Sequence, residues 1–302
     1  MSAEASAFFR SWDPRIDVIF VLGLLGTMYV TGWVRMRGAP RGRSRMGRSA
    51  NGWRLSAYLG GLTLLGVALM SPLDVLGEQL FFLHMLQHML VTMYVPPLLL
   101  LANPLPFIMW GLPAAVRRAV GGVLVPKGAV QRGLRAVTPP AVLWLIYACT
   151  IVIWHDPHAY SLAQGDGLVH DFEHISFFAA SILFWWHITG AGPRIHRPMA
   201  RWKKILFLLG AVPANMLTGI TIAFATTPLY AHYVAMPRLF NISVLGDQQL
   251  GGTIMWIQGS EMYIIATLIL VSRMLGQEAR KQPLPAGQWD TAEALKAPGW
   301  QR

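Results

Sequence analysis

The sequence predicts an all-α, polytopic membrane helical bundle of about seven transmembrane helices, with the N-terminus outside and the C-terminus cytoplasmic. Three observations predict it. Of 302 residues, 54% are apolar and 13% charged, which leaves little polar surface for a water-soluble globule. Several apolar runs exceed eighteen residues, and a helix needs about twenty to cross ~30 Å of hydrocarbon. The connections between runs alternate in charge. Residues 35–54 carry seven arginines, while 102–140, 191–204 and the tail from Arg273 carry five basic residues each. These connections hold 22 of the 25 Lys and Arg; only Arg10, Arg15 and Arg238 fall on the other side. The positive-inside rule makes the first side cytoplasmic. The net charge of +11 is then a topology signal with the lipid bilayer as its partner, and nucleic acid is excluded.

The spans fall at roughly 16–34, 53–71, 79–101, 141–154, 169–190, 205–224 and 250–275. The first follows fifteen residues that contain Glu4 and Asp13 and lack a basic n-region and an Ala-x-Ala site, so it is expected to stay as a span. The second ends in a tight outer turn, Ser71-Pro72-Leu73-Asp74. In the third, Pro96-Pro97 is expected to kink the helix and free backbone carbonyls, as is Pro213 in the sixth. The fourth is short unless it begins near Pro139 and runs past His155. It holds the sole cysteine, Cys149, which reads as a small buried hydrophobe and excludes an intramolecular disulfide or a Cys-x-x-Cys metal site. Residues 1–275 form one membrane domain. Residues 276–302, rich in Pro, Ala and Gly, are expected to be a disordered cytoplasmic tail.

Topology sorts the histidines by depth. His84, His88, His155, His158, His170, His174 and His232 fall in outer loops or the outer leaflet, and only His187 and His196 lie near the cytoplasmic side. His84 and His88 are four apart, so on a helix their rings lie within about 40° of each other. His170 and His174 repeat the spacing on the fifth span. A lone imidazole in hydrocarbon costs several kcal/mol unless partnered, so two paired sets read as halves of a buried metal or haem site. His84, His88, His155, His170 and His174 are the candidate ligands, with His158 and His232 secondary.

Other polar groups accompany them. Asp74, Glu78, Asp156, Asp171 and Glu173 either orient ligand rings or simply collect on the face not reserved for cations; Asp74 and Asp171, closest to the pairs, are the orienting candidates. Met85, Met89 and Met93 form a helical row beside His84 and His88. A thioether favours Cu(I), so Met85 and Met89 lean the metal towards copper, although Met is also an ordinary gap-filler. Asn215 and Glu261 lie deep in the sixth and seventh spans, and Glu261 is a candidate proton carrier, inner ligand or interhelical hydrogen-bonding group. There is no Walker loop, Gly-x-Ser-x-Gly or Rossmann glycine set, which argues against an enzyme and against ATP-driven transport.

Four stretches carry a family resemblance. They are Ser71-Pro72-Leu73-Asp74 leading to His84-Met85-Leu86-Gln87-His88-Met89-Leu90; Trp154-His155-Asp156-Pro157 with Tyr160; Val169-His170-Asp171-Phe172-Glu173-His174 running to Phe184-Trp185-Trp186; and Asp247-Gln248-Gln249-Leu250-Gly251-Gly252 ending in Met255-Trp256. Over residues 71–260 the sequence resembles the multi-spanning CtaG family of cytochrome c oxidase assembly factors. That resemblance implies a multi-pass protein of the cell inner (plasma) membrane that matures a respiratory-chain haem–copper oxidase as a copper chaperone. Its partners would be an oxidase subunit and a copper donor on the outer side. His158 and His232 fall outside the pattern. Some members are joined to a copper-resistance domain; the expectation here is the membrane part alone. Two other readings stay open: facing His pairs can clamp a b-type haem in an electron-transfer protein or oxidoreductase, and Glu261 with Asn215 would suit a copper transporter.

Overall fold

The computed structural model describes residues 10–38, 50–123, 128–193 and 195–278, and every regular element among them is a helix. In chain order these are α1 (Ile16–Arg37), α2 (Gly52–Met70), α3 (Pro72–Gly77), α4 (Phe81–Leu101), α5 (Pro104–Gly111), α6 (Ala114–Val123) and α7 (Ala129–Val137). Then follow α8 (Pro140–Trp154), α9 (Pro157–Gly165), α10 (Gly167–Thr189), α11 (Arg201–Ala223), α12 (Ala231–Ala235) and α13 (Val244–Glu278). Five of them, α1, α2, α4, α11 and α13, are individually long and apolar enough to cross a membrane. This is a membrane protein, and its outward faces are apolar: Phe20, Leu145, Leu217, Ile257 and Leu268 are all exposed.

The fourth expected span, 141–154, is short in the structure as well. α8 has fifteen residues, and it reaches spanning length only together with α7, from which it is bent by 55°. Pro139 and Pro140 cause the break, because neither offers an N–H to continue the α7 ladder. α10 is long enough at 23 residues but, with three histidines and two carboxylates along it, is not among the five. Cys149 is corrected: it lies exposed on the outer face of α8 rather than buried. Ser71-Pro72-Leu73-Asp74 is the start of α3, with Ser71 Oγ accepting from the Leu73 N–H. The expected tail, 276–302, starts later than its sequence suggests, because α13 runs to Glu278; residues 279–302 lie outside the described residues.

α4 is the hub. Of its spanning window 67% is buried, against 11% for α1. On one side it packs with α1, α2 and α5 around Tyr29, Tyr58, Leu62, Leu99 and Phe107. α5 belongs to a stretch that reads in sequence as a loop, yet it lies along α1 at van der Waals contact. A Cβ at Gly32 would collide with the Phe107 carbonyl, and one at Gly111 with that of Met28. On its other side α4 packs with α8 to α13 around Phe81, Met85, Tyr147, Phe177, Phe184 and Tyr263. Gly219 and Gly252 bring α11 and α13 so close that a Cβ at Gly252 would strike the Ala223 backbone.

Pro96 and Pro97 act on α4 as their chemistry requires. Without N–H groups they leave the Thr92 and Met93 carbonyls unserved, and the helix widens into a π-helical turn at Leu90–Tyr94. The Trp185 indole of α10 donates to the Thr92 carbonyl at 3.3 Å. Asn215 is settled by packing: its Nδ2 donates to the Met255 carbonyl at 2.9 Å, against Gly259.

Candidate metal centre

Each helix that carries a histidine is tied down beside it. The first free N–H groups of α4, at Phe81 and Phe82, donate to the two carboxylate oxygens of Asp247 on α13 at 3.0 and 2.9 Å. An N-terminus capped in this way sets the height of His84 three residues on. Rotation of α4 is held by Gln87, buried between the two histidines, whose Nε2 donates to Asp74 at 2.6 Å and to the Ala68 carbonyl at 3.0 Å. α10 begins on an Asp166 cap, and its Asp171 takes both arms of Arg15 at 2.6 and 3.2 Å. At the end of α8 the His155 Nδ1–H donates to the Ile151 carbonyl at 2.7 Å, which fixes the tautomer and leaves Nε2 with its lone pair. The Tyr230 hydroxyl secures the His155 carbonyl at 3.0 Å, and Tyr160 and Tyr233 share a hydrogen bond at 2.6 Å alongside.

These ties bring five imidazoles together. Ring centroids are 4.1 Å apart for His84 and His88, 5.7 Å for His84 and His174, 5.1 Å for His88 and His174, 4.4 Å for His170 and His174, and 6.1 Å for His88 and His155. One ligand atom from each of His84, His88 and His174 falls within 4.8 Å of the other two. The edge of a tetrahedron with 2.0 Å bonds is about 3.3 Å, so small ring rotations suffice to close on an ion. His84 and His88 are each 1% exposed. Among the described residues, buried nitrogens of all five histidines lack a hydrogen-bond partner: Nε2 of His84, His88, His155, His170 and His174, and Nδ1 of His88. Each such atom costs about 1–3 kcal/mol if nothing fills its lone pair or takes its proton.

A carboxylate completes the group. Glu173 is 0% exposed, neither oxygen has a hydrogen-bond partner among the described residues, and Oε1 lies 3.7 Å from His88 Nε2. With His84 and His170 it forms a second set whose ligand atoms lie within 4.8 Å of one another. Sequence reasoning passed over it for Asp74 and Asp171. The overlooked signal is that Glu173 follows His170 by three residues and therefore shares its helix face, whereas Asp171 is turned by about 100°.

The remaining candidates sit elsewhere. Asp74 and Asp171 do not orient rings: Asp74 serves Gln87 and Asp171 serves Arg15. Burial pushes the Asp74 carboxyl up to about 6, despite the Gln87 hydrogen bond that favours its charge. His158 has a side chain 97% exposed and lies 3.5 Å from Asp156, outside the cluster. His232 donates to the Glu78 carbonyl at 2.9 Å and lines, with His170, a pocket of about 250 Å³. Met85 packs against Gly251, Met89 lies in the apolar core, and the Tyr147 hydroxyl approaches the Met93 sulfur at 3.7 Å. Glu261 is exposed on the outward side of α13. Counting from the Asp247–Phe81 contact, it lies about 10 Å beyond the level of His88. His187 and His196 both bond to Thr138 and stand apart from the cluster.

Residues 12–277 match the family described as cytochrome c oxidase caa3 assembly factor (Caa3_CtaG). The chain belongs to that family. It is similar to an uncharacterized protein of Mycobacterium leprae, 28% identical over 298 residues, which cover 90% of this chain and 41% of that protein. Uncharacterized proteins of Mycobacterium bovis and Mycobacterium tuberculosis are each 26% identical over 257 residues, 80% of this chain and 38% of theirs. The chain thus spans about two fifths of the length of the curated relatives it matches. No solved structure matches it. Within this Caa3_CtaG chain the four stretches play distinct parts. The histidine stretches furnish the cluster, Asp247 with Gly251 seats the helix that carries its first two members, and Gly252 packs against α11.

Proposed function

We propose that this chain is an assembly factor of the cell inner (plasma) membrane that holds copper as cargo for a haem–copper oxidase. The observation that carries the reading is the convergence of orphaned imidazole nitrogens from α4, α8 and α10 around one buried carboxylate. Imidazole suits copper, zinc and haem iron, so the donor atoms alone do not select the metal. The charge count favours Cu(I). An ion in hydrocarbon is stabilised when its charge is matched, and Cu(I) beside ionised Glu173 gives a neutral assembly of neutral imidazoles, while a divalent ion leaves a net charge. A haem needs a flat slot between its axial rings; here Phe177 lies 4.7 Å from His88 and Tyr160 lies 5.5 Å from His84, which suits a small ion better.

By the positive-inside rule, the basic connections support a position for the cluster in the outer half of the bilayer. A copper donor on the outer side would load it there, and an oxidase subunit would receive the ion. The transporter reading loses its supports, because Asn215 fills a packing contact and Glu261 faces outward. The test is metal content by mass spectrometry with an optical spectrum on protein purified in mild detergent. One equivalent of copper without a Soret band is expected, and the double variant His84→Ala/His88→Ala loses both copper and oxidase maturation. Haem without copper, or full function of the double variant, would overturn the reading.

A further inference from the structure

The cluster is two ligand sets that share one member. His84, His88 and His174 form an all-imidazole set, and His84, His170 and Glu173 form a mixed one. They differ in depth. On α4 and α10, His88 and His174 lie one turn, about 6 Å, further along than His84 and His170. They differ in access as well. His88 and His174 are buried, whereas His170 is half-buried and lines the 250 Å³ pocket. That pocket is lined by residue types that bind metals, Glu78, Met236, the α10 cap Asp166 and His232, whose Nε2 is held by the Glu78 carbonyl. His170 Nε2 itself is shut from solvent and lacks a hydrogen-bond partner among the described residues, so the residue joins the pocket to the interior.

We propose that this pocket is the loading port and that one copper ion is held at two stations in turn, first by His170, Glu173 and His84, then by His84, His88 and His174. The inference rests on the copper reading of the site. A neutral imidazole offers one lone pair, so His84 serves one station at a time, and the ion moves by exchanging ligands around that shared residue. The His170 nitrogen and the Glu173 carboxylate leave as the His88 and His174 nitrogens bind; the charge on copper is unchanged and no electron is transferred. Glu173 stays within 3.7 Å of His88, so its charge remains beside the ion at the deeper station. The shallower station captures, and the deeper one retains.

The experiment loads the full chain in detergent with Cu(I) under anaerobic conditions and follows uptake and its removal by a chromogenic Cu(I) chelator. Glu173→Gln and His170→Ala are expected to load about tenfold more slowly, the factor that roughly 1.4 kcal/mol of lost ligand energy gives; His170→Ala then retains what it binds as well as the wild type does, whereas Glu173→Gln, which also removes the charge beside the deeper station, releases it faster. His88→Ala is expected to load at the wild-type rate and release copper about tenfold faster. Size-exclusion profiles and helical circular dichroism check folding, and Glu173→Gln, nearly isosteric, decides the matter if His170→Ala is misfolded. Wild-type loading rates in Glu173→Gln would overturn the two-station path and leave the copper site standing. A wild-type protein that takes up no Cu(I) would overturn the copper reading itself.

Discussion

Replacing Asp247 with alanine removes a carboxylate that touches no histidine, and it is expected to damage the centre all the same. Two N–H groups, the buried one of Phe81 and the partly buried one of Phe82, lose their acceptors at 3.0 and 2.9 Å, and Arg238 loses the carboxylate 3.8 Å from its Nη1. Hydrogen bonds to an ionised group are worth about 1.5–3 kcal/mol each, but a freed helix end can recover part of that from water, so the net loss is about 2–4 kcal/mol. Asp247→Asn keeps one acceptor oxygen and should lose about half as much. The loss is local to the start of α4, which sets the height of His84. The assay is thermal unfolding of the detergent-purified chain followed by circular dichroism, paired with the Cu(I) release rate. Asp247→Ala is expected to melt earlier and release copper faster, with Asp247→Asn between it and the wild type. If Asp247→Ala melts and releases copper as the wild type does, the cap does not position the site and the reasoning about α4 is wrong.

Three further outcomes follow from the packing and charge of the bundle. Gly259→Val puts side-chain atoms where Asn215 now lies, and such overpacking typically costs about 1–3 kcal/mol, so a lowered melting temperature is expected and unchanged stability would contradict the α11–α13 contact. Arg15→Ala breaks a partly exposed pair with Asp171, whose side chains are 31% and 38% exposed; the expected loss is below about 1 kcal/mol, with little effect on copper retention. Asp74 is protonated more readily folded than unfolded, its carboxyl being raised from 3.8 to about 6, so the folded state binds the extra proton in that window and stability falls as pH rises through it. Asp74→Asn, which keeps an acceptor for Gln87, should flatten that part of the pH–stability curve; an unchanged slope would place the titration elsewhere.

Local chemistry wrote much of this protein into its sequence. Apolar run length and the spread of Lys and Arg specify a helical membrane bundle, because a bilayer admits few other solutions and the charge rule acts on short connections. The i, i+4 spacing of His84/His88 and His170/His174 places each pair on one helix face whatever that helix meets. Pro96 and Pro97 announce a disturbed ladder, and the π-helical turn follows from the two missing donors. What could not be read was which face meets which neighbour. Asp74 and Asp171 lie near the histidines along the chain but turn to Gln87 and Arg15, while Glu173, further round the same helix, meets His88. Cys149 is mid-helix, as its flanks imply, yet outward, because a uniformly apolar helix carries no mark of its buried side. The cap that Asp247 places on α4 joins residues 166 apart in sequence. Sequence determines period and depth through the backbone. Only helix packing decides rotation and partnership, since those depend on surfaces that no single segment contains.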